Sequence, residues 1–107
     1  MDVQLKRGFL DICVLSSLLR EKSYGYKIIK DLSAQEIEIS ESTLYPILRR
    51  LETAGALVVT SMEHNGRLRK YYAITGIGKQ KINDFLSEWK SIIKVCEYIE
   101  REMKSCE

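Results

Sequence analysis

The spacing of hydrophobic residues along the chain changes twice, and these changes predict a succession of helices, a hairpin and a last helix. Apolar residues between Phe9 and Leu19 cover most of a helical circumference, which predicts a first helix that is surrounded by other elements. A second helix is predicted to start at Ser23, whose hydroxyl can accept a hydrogen bond from a free amide of the first turn. Its buried stripe consists of Ile28, Ile29 and Leu32.

The third predicted helix begins at Ser40 or Ser42 and ends at Gly55, which can adopt the left-handed conformation common at helix C-termini. Pro46 lies inside this segment and cannot donate a backbone hydrogen bond, at a cost that reaches about 3 kcal/mol in mid-helix. Other contacts must therefore stabilise the helix. The apolar residues at three- and four-residue spacings are Leu44, Ile47, Leu48 and Leu51.

Beyond this helix the spacing of apolar residues falls to about two, which is typical of strands. Residues 57–62 and 68–74 are rich in Val, Thr and Tyr, and the pair Asn65-Gly66 suits the tight turn of a hairpin. Thr75 then caps a last helix of nearly 30 residues, about 42 Å long. Because a core this small cannot cover such a length, we expect part of its apolar face to contact another chain.

This order predicts a mostly α fold with a small β-hairpin. Two helices, a third helix and a two-stranded hairpin are the elements of a winged helix-turn-helix, in which the third helix can enter a major groove. We therefore divide the chain into a DNA-binding domain, residues 1–75, and a C-terminal dimerisation helix, residues 76–107.

The formal net charge of +2 excludes a polybasic protein that coats DNA, but its distribution is informative. The segments 1–39 and 75–107 each hold six basic and six acidic residues, whereas residues 40–74 hold five basic and three acidic ones. The local excess indicates a polyanionic partner for this segment. Double-stranded DNA is the expected partner, and its predicted contacts are Ser42, Thr43, Tyr45, Arg49, Arg50, Arg67, Arg69 and Lys70.

Chemistry other than binding finds little support in the residues. The three cysteines have no C-x-x-C spacing and His64 is the only histidine, so we expect neither a disulfide framework nor a metal site. No Ser-His-Asp, paired-carboxylate or phosphate-loop arrangement indicates an enzyme, and no cofactor is expected.

A membrane location is not expected either. The longest apolar stretch, residues 9–19, has 11 residues and contains Asp11, and charged residues follow it instead of a signal-peptide cleavage site. The sequence predicts a cytoplasmic protein.

Two motifs give the chain a resemblance to the PadR family of bacterial transcriptional regulators. They are S-T-L-Y-P-I-L-R-R-L-E-T-A-G-A-L, residues 42–57, and N-G-R-L-R-K-Y-Y-A-I-T-G-I-G-K, residues 65–79; Y-G-Y at 24–26 also resembles the opening of that family's second helix. The resemblance implies a homodimeric winged-helix repressor with the third helix as recognition helix. Its dimer would be formed largely by the last helix, through Phe85, Trp89, Ile92, Ile93, Cys96 and Ile99.

The chain departs from the family in two places. Asn65-Gly66 and Leu68 stand where the wing often carries two glycines and a proline, although Asn tolerates a positive φ. A single C-terminal helix makes the chain similar to the short subfamily, which includes the lactococcal multidrug-binding regulator. There a tryptophan on the last helix can stack flat aromatic drugs, and Trp89 falls at the matching place; it either binds a small planar hydrophobic effector or only packs the dimer interface.

Two further classes of function compete with an operator-binding repressor. A winged-helix protein-interaction module would use the same fold without binding DNA, and a stable dimer lacking salt-sensitive DNA binding would favour it. An enzyme is the second competitor and lacks any group of residues that we can place in a common cleft.

Overall fold

A computed structural model describes residues 3–106, with side chains from residue 8 onward. Four helices and one antiparallel hairpin follow each other in the predicted order, which confirms the predicted fold class. The elements are α1 Val3–Ser16, α2 Gly25–Ser33, α3 Glu41–Thr53, β1 Leu57–His64, β2 Arg67–Ile74 and α4 Gly76–Ser105.

Helix α3 has the ends that its sequence predicts. The Ser40 hydroxyl caps it by accepting a hydrogen bond from the Thr43 amide, and Gly55 follows it with a φ of +77°. Pro46 lies within the helix and is exposed. All four apolar side chains of the stripe are buried. Burial of each contributes about 1.5–3 kcal/mol, and together they outweigh the cost of the proline.

The start of α2 corrects one prediction. The helix begins at Gly25 after Tyr24, and no side chain caps it, whereas Ser23 was expected to do so. Instead the Ser23 amide donates to the Tyr72 carbonyl at 3.0 Å, and the Tyr72 amide donates back at 2.7 Å. This pairing holds Ser23 in an extended conformation that turns its hydroxyl into the core, where it has no partner among the described residues.

The hairpin, which we call the wing, is longer than its sequence predicts. Its strands pair from Leu57 opposite Ile74 to His64 opposite Arg67. Asn65 and Gly66 complete the turn with φ values of +51° and +80°, as a two-residue turn with two left-handed residues requires. The wing therefore projects as a regular ribbon up to its last residue pair.

The hydrophobic core lies between the first three helices, the base of the wing and the start of α4. Gly78 lets α4 pack closely against the backbone at Ala56, because a Cβ at this position would overlap the Ala56 carbonyl. The remainder of α4 extends away from the core, and the described chain spans 67 × 25 × 22 Å. On that part Ile92, Ile93 and Ile99 remain 44%, 53% and 51% exposed, so the described chain leaves an apolar helix face uncovered.

Candidate nucleic-acid interface

The outer face of α3 carries most of the polar residues predicted to contact DNA. Ser42, Thr43, Tyr45 and Arg49 are exposed there, opposite the buried stripe. The Ser40 hydroxyl lies 3.0 Å from that of Ser42 and 3.2 Å from that of Thr43. This cluster presents several hydrogen-bond donors and acceptors at the start of the helix, where phosphate contacts commonly form.

Arg50 lies elsewhere, although it belongs to the same predicted set. Its guanidinium donates a hydrogen bond to the Asp11 carboxylate of α1, and both side chains are partly buried. A charge-assisted pair of this kind joins α3 to the first helix. The contact with Asp11 gives Arg50 a structural partner in α1, and its contact with DNA stays a prediction.

The wing carries the three remaining predicted cations. Arg67 and Lys70 are exposed, and none of the three forms an ion pair with any residue that the structure describes. Arg69 is partly covered because its guanidinium lies over the ring of Tyr24, 4.0 Å from the ring centroid. The wing therefore carries three cations and one carboxylate, Glu63, and leaves its cations without ion pairs among the described residues.

A row of two tyrosine rings with a cation at each end joins the wing to the segment before α2. Tyr24 meets Tyr71 edge to face, with centroids 5.7 Å apart, and the Lys22 ammonium lies 5.5 Å from the Tyr71 centroid. Together with Arg69 these residues form a continuous row. Lys22 and Tyr24 were not among the predicted contacts, and the Y-G-Y motif at residues 24–26 is the one sequence signal for this segment.

A cleft of about 550 Å³ lies where α2, α3 and the wing meet. The Tyr45 hydroxyl packs directly against Gly25 at the start of α2, so that a Cβ at Gly25 would overlap it. Burial raises the pKa of Tyr72, and Tyr45 and Glu52 act in the same direction while Arg49 opposes them. The Tyr72 hydroxyl therefore stays protonated at neutral pH. The cleft is lined by Tyr24, Gly25, Tyr26, Tyr45, Arg69, Lys70 and Tyr72.

The aromatic residue predicted to bind a ligand lies at the boundary between the core and the uncovered part of α4. Trp89 is half-buried and meets Phe85 edge to face at 6.0 Å, and Phe85 in turn lies 6.2 Å from Phe9 of α1. Beyond it, Ile92, Ile93, Cys96 and Ile99 are exposed on the described chain. Of the six residues predicted to form a dimer interface, two thus belong to this aromatic cluster and four lie beyond it along α4.

Metal and membrane chemistry find no place in the part of the chain that the structure describes. No three His, Cys, Asp or Glu side chains come together there as they would around a metal ion. Burial raises the pKa of the Cys13 thiol, which disfavours the reactive thiolate. No helix within residues 3–106 is long and apolar enough to cross a bilayer.

Three helices followed by a wing that is held against the second helix define a winged helix-turn-helix protein. The profile of the Transcriptional regulator PadR-like family matches residues 14–84, which is most of the chain. This chain belongs to the PadR-like family of transcriptional regulators, whose members regulate transcription rather than catalyse reactions. It is accordingly a DNA-binding regulator and not an enzyme.

Individual relatives agree with this assignment. The chain is similar to a PadR-like transcription factor from Bacteroides fragilis, with a TM-score of 0.82 and 32% identity over 90% of this chain and 94% of that one. A PadR family transcriptional regulator from Eggerthella lenta gives a TM-score of 0.80 and 35% identity, over 91% and 86% of the two chains. Transcriptional regulator Rv3488 of Mycobacterium tuberculosis is 28% identical over 76% of each chain.

Proposed function

We propose that this regulator is a cytoplasmic homodimeric repressor, which binds a pseudo-palindromic DNA operator through α3 and the wing. The observation that carries this proposal is that Tyr45 of α3 and Arg69 and Lys70 of the wing line one cleft. The recognition helix and the wing therefore border one space, which a single ligand could contact from both sides. A major groove admits one helix, and the wing would reach the phosphates beside it.

The charged and the polar residues of this surface would have different roles in binding. Arg49, Arg67, Arg69 and Lys70 would attract phosphates, since three of them are exposed and none is ion-paired among the described residues. Ser42, Thr43 and Tyr45 would position the helix and contact base edges. We propose that Arg50, which donates a hydrogen bond to Asp11, adds little to phosphate binding.

Dimerisation through residues 76–107 is the second part of the proposal. Apolar side chains follow α4 at alternating intervals of three and four residues, as in the seam of a helix pair. Ile92, Ile93 and Ile99 are about half exposed on one chain, so a partner helix could bury them. Two recognition helices on one dimer would then enter major grooves about 34 Å apart.

Release by a small planar hydrophobic effector is the third part, and Trp89 supports it. The indole adjoins Phe85 at the start of the uncovered face, where a ligand could stack and change the geometry of the pair of helices. Such a ligand releases DNA only if it binds the DNA-free conformation of the dimer more tightly than the DNA-bound conformation. Titration with planar hydrophobic cations should quench Trp89 fluorescence and weaken DNA binding together; a broad panel that does neither contradicts an effector at Trp89.

A binding titration tests the function itself. The probe is the DNA that flanks the protein's own gene, because such regulators often act beside their own coding sequence. We expect this fragment to bind more tightly than an unrelated duplex of equal length, with an affinity that falls steeply as salt rises. A stable dimer that shows no salt-sensitive binding to either duplex would instead be a protein-interaction module.

A further inference from the structure

The cleft between α2, α3 and the wing owes its shape to a glycine in its wall. Its wall at Gly25 lacks a side chain, and the Tyr45 ring occupies the space that a Cβ would need, with its Cζ atom 2.9 Å from that position. The absence of a side chain at Gly25 therefore leaves room for the Tyr45 ring. A larger residue here would displace the Tyr45 ring and narrow the cleft.

The lining of the cleft has the chemistry of an anion site. Two of its residues, Arg69 and Lys70, are cations, four are tyrosines, and none is acidic. The first turn of α2 adjoins the cleft at Gly25 and Tyr26, and no side chain caps that turn, so its first amides have no side-chain partner. A single phosphate group offers the acceptor oxygens that such donors require.

The ring of Tyr24 determines how Arg69 enters the cleft. The guanidinium carbon lies over the ring, 4.0 Å from its centroid, and no ion pair with a described residue occupies its N–H donors. Tyr71 contacts the Tyr24 ring edge to face, and Lys22 lies over the ring of Tyr71 in turn. An arginine held in this way loses less side-chain entropy when it binds an anion than a free one does.

We propose that this cleft binds one backbone phosphate of DNA and that Tyr24 is the positioning residue that holds Arg69 for it. The inference rests on the proposed function, because DNA supplies the phosphate. It extends the DNA interface to the segment 24–26, which sequence analysis did not include.

A pair of glycine variants tests the cleft. Gly25 and Gly76 are both the first residues of helices, but a Cβ at Gly76 meets nothing within 4 Å. With a labelled duplex between about 50 and about 200 mM salt, Gly25→Ala should weaken binding about tenfold and reduce the log–log salt slope by about 0.9 per cleft. Gly76→Ala should leave the affinity and the slope unchanged.

A pair of tyrosine variants keeps the test decisive even if Gly25→Ala folds poorly. Tyr24→Leu removes the ring that holds Arg69, and should weaken binding and lower the salt slope in the same way. Tyr24→Phe keeps the ring and should bind as the wild type does. A merely structural role would lower the melting temperature of Tyr24→Leu without changing the slope, and that result would overturn the proposal.

The source of the anion and the proposed function are tested separately. Inorganic phosphate is titrated against the free protein, and if Gly25→Ala loses phosphate binding but binds DNA normally, the cleft serves a free anion and the proposal is wrong. Wild-type protein that binds no DNA contradicts the proposed function as well. Normal wild-type binding with unchanged Gly25→Ala and Tyr24→Leu variants contradicts the cleft proposal alone.

Discussion

Replacing both Ile92 and Ile99 with glutamate should produce a monomer whose affinity for DNA is lower by at least about 100-fold. These side chains are 44% and 51% exposed on a single chain, so its own fold does not depend on burying them. In a dimer the same substitutions would bury four carboxylates without partners, a cost of several kcal/mol. Sedimentation analysis gives the mass, and fluorescence anisotropy gives the affinity.

The matched control adds the same charge to the other side of the helix. Ser87 and Ser91 are exposed, and helical geometry places them opposite the apolar stripe of α4. Ser87→Glu with Ser91→Glu should leave both mass and affinity unchanged. If the double isoleucine variant remains a dimer, the two chains pair through another surface and the role assigned to α4 is wrong.

Removing the three wing cations together, by Arg67→Ala, Arg69→Ala and Lys70→Ala, should lower DNA affinity by at least about 100-fold at low salt. Each phosphate contact adds about 0.9 to the slope of log affinity against log salt, so six lost contacts in a dimer would reduce the slope by about 5. The three side chains make no ion pair with the described residues. We therefore expect thermal stability to change little, apart from the loss of the Tyr24–Arg69 contact.

Two controls separate this effect from a general loss of positive charge. Lys90→Ala, Lys94→Ala and Arg101→Ala remove the same charge from α4 and should leave the salt slope almost unchanged. Arg50→Ala breaks the pair with Asp11 and should lower the free energy of unfolding by about 1–2 kcal/mol without changing the slope. Equal losses of affinity in the wing and α4 triple variants would contradict a specific role for the wing.

Local signals in the sequence were sufficient for most of the fold. Ser40 marks the start of α3 by capping it with a hydrogen bond, and Gly55 marks its end by adopting a positive φ. Asn65-Gly66 determines the hairpin turn. Most of the 30-residue length of α4 follows from an apolar repeat that continues from Ile82 to Met103. Such features depend on neighbours a few positions away, so the pattern of residue types reveals them.

Features that join distant parts of the chain could not be predicted in this way. Ser23 has the residue type of a helix cap, yet its backbone pairs with Tyr72, which no local pattern indicates. Arg50 looks like any surface arginine of α3 until its contact with Asp11, 39 positions away, is known. The Tyr24–Arg69 contact arises for the same reason, since tertiary packing decides which side chains meet.

Hydroxyl-radical footprinting of the dimer on the DNA that flanks its gene tests the central claim most directly. If each dimer places two α3 helices and two wings on one face of the duplex, the footprint is symmetric, with two contact regions about one helical turn apart. The variant with glutamate at 92 and 99 should lose both regions together. A single asymmetric contact region for the wild-type dimer would contradict the account. So would the absence of any protected region at the highest protein concentrations tested.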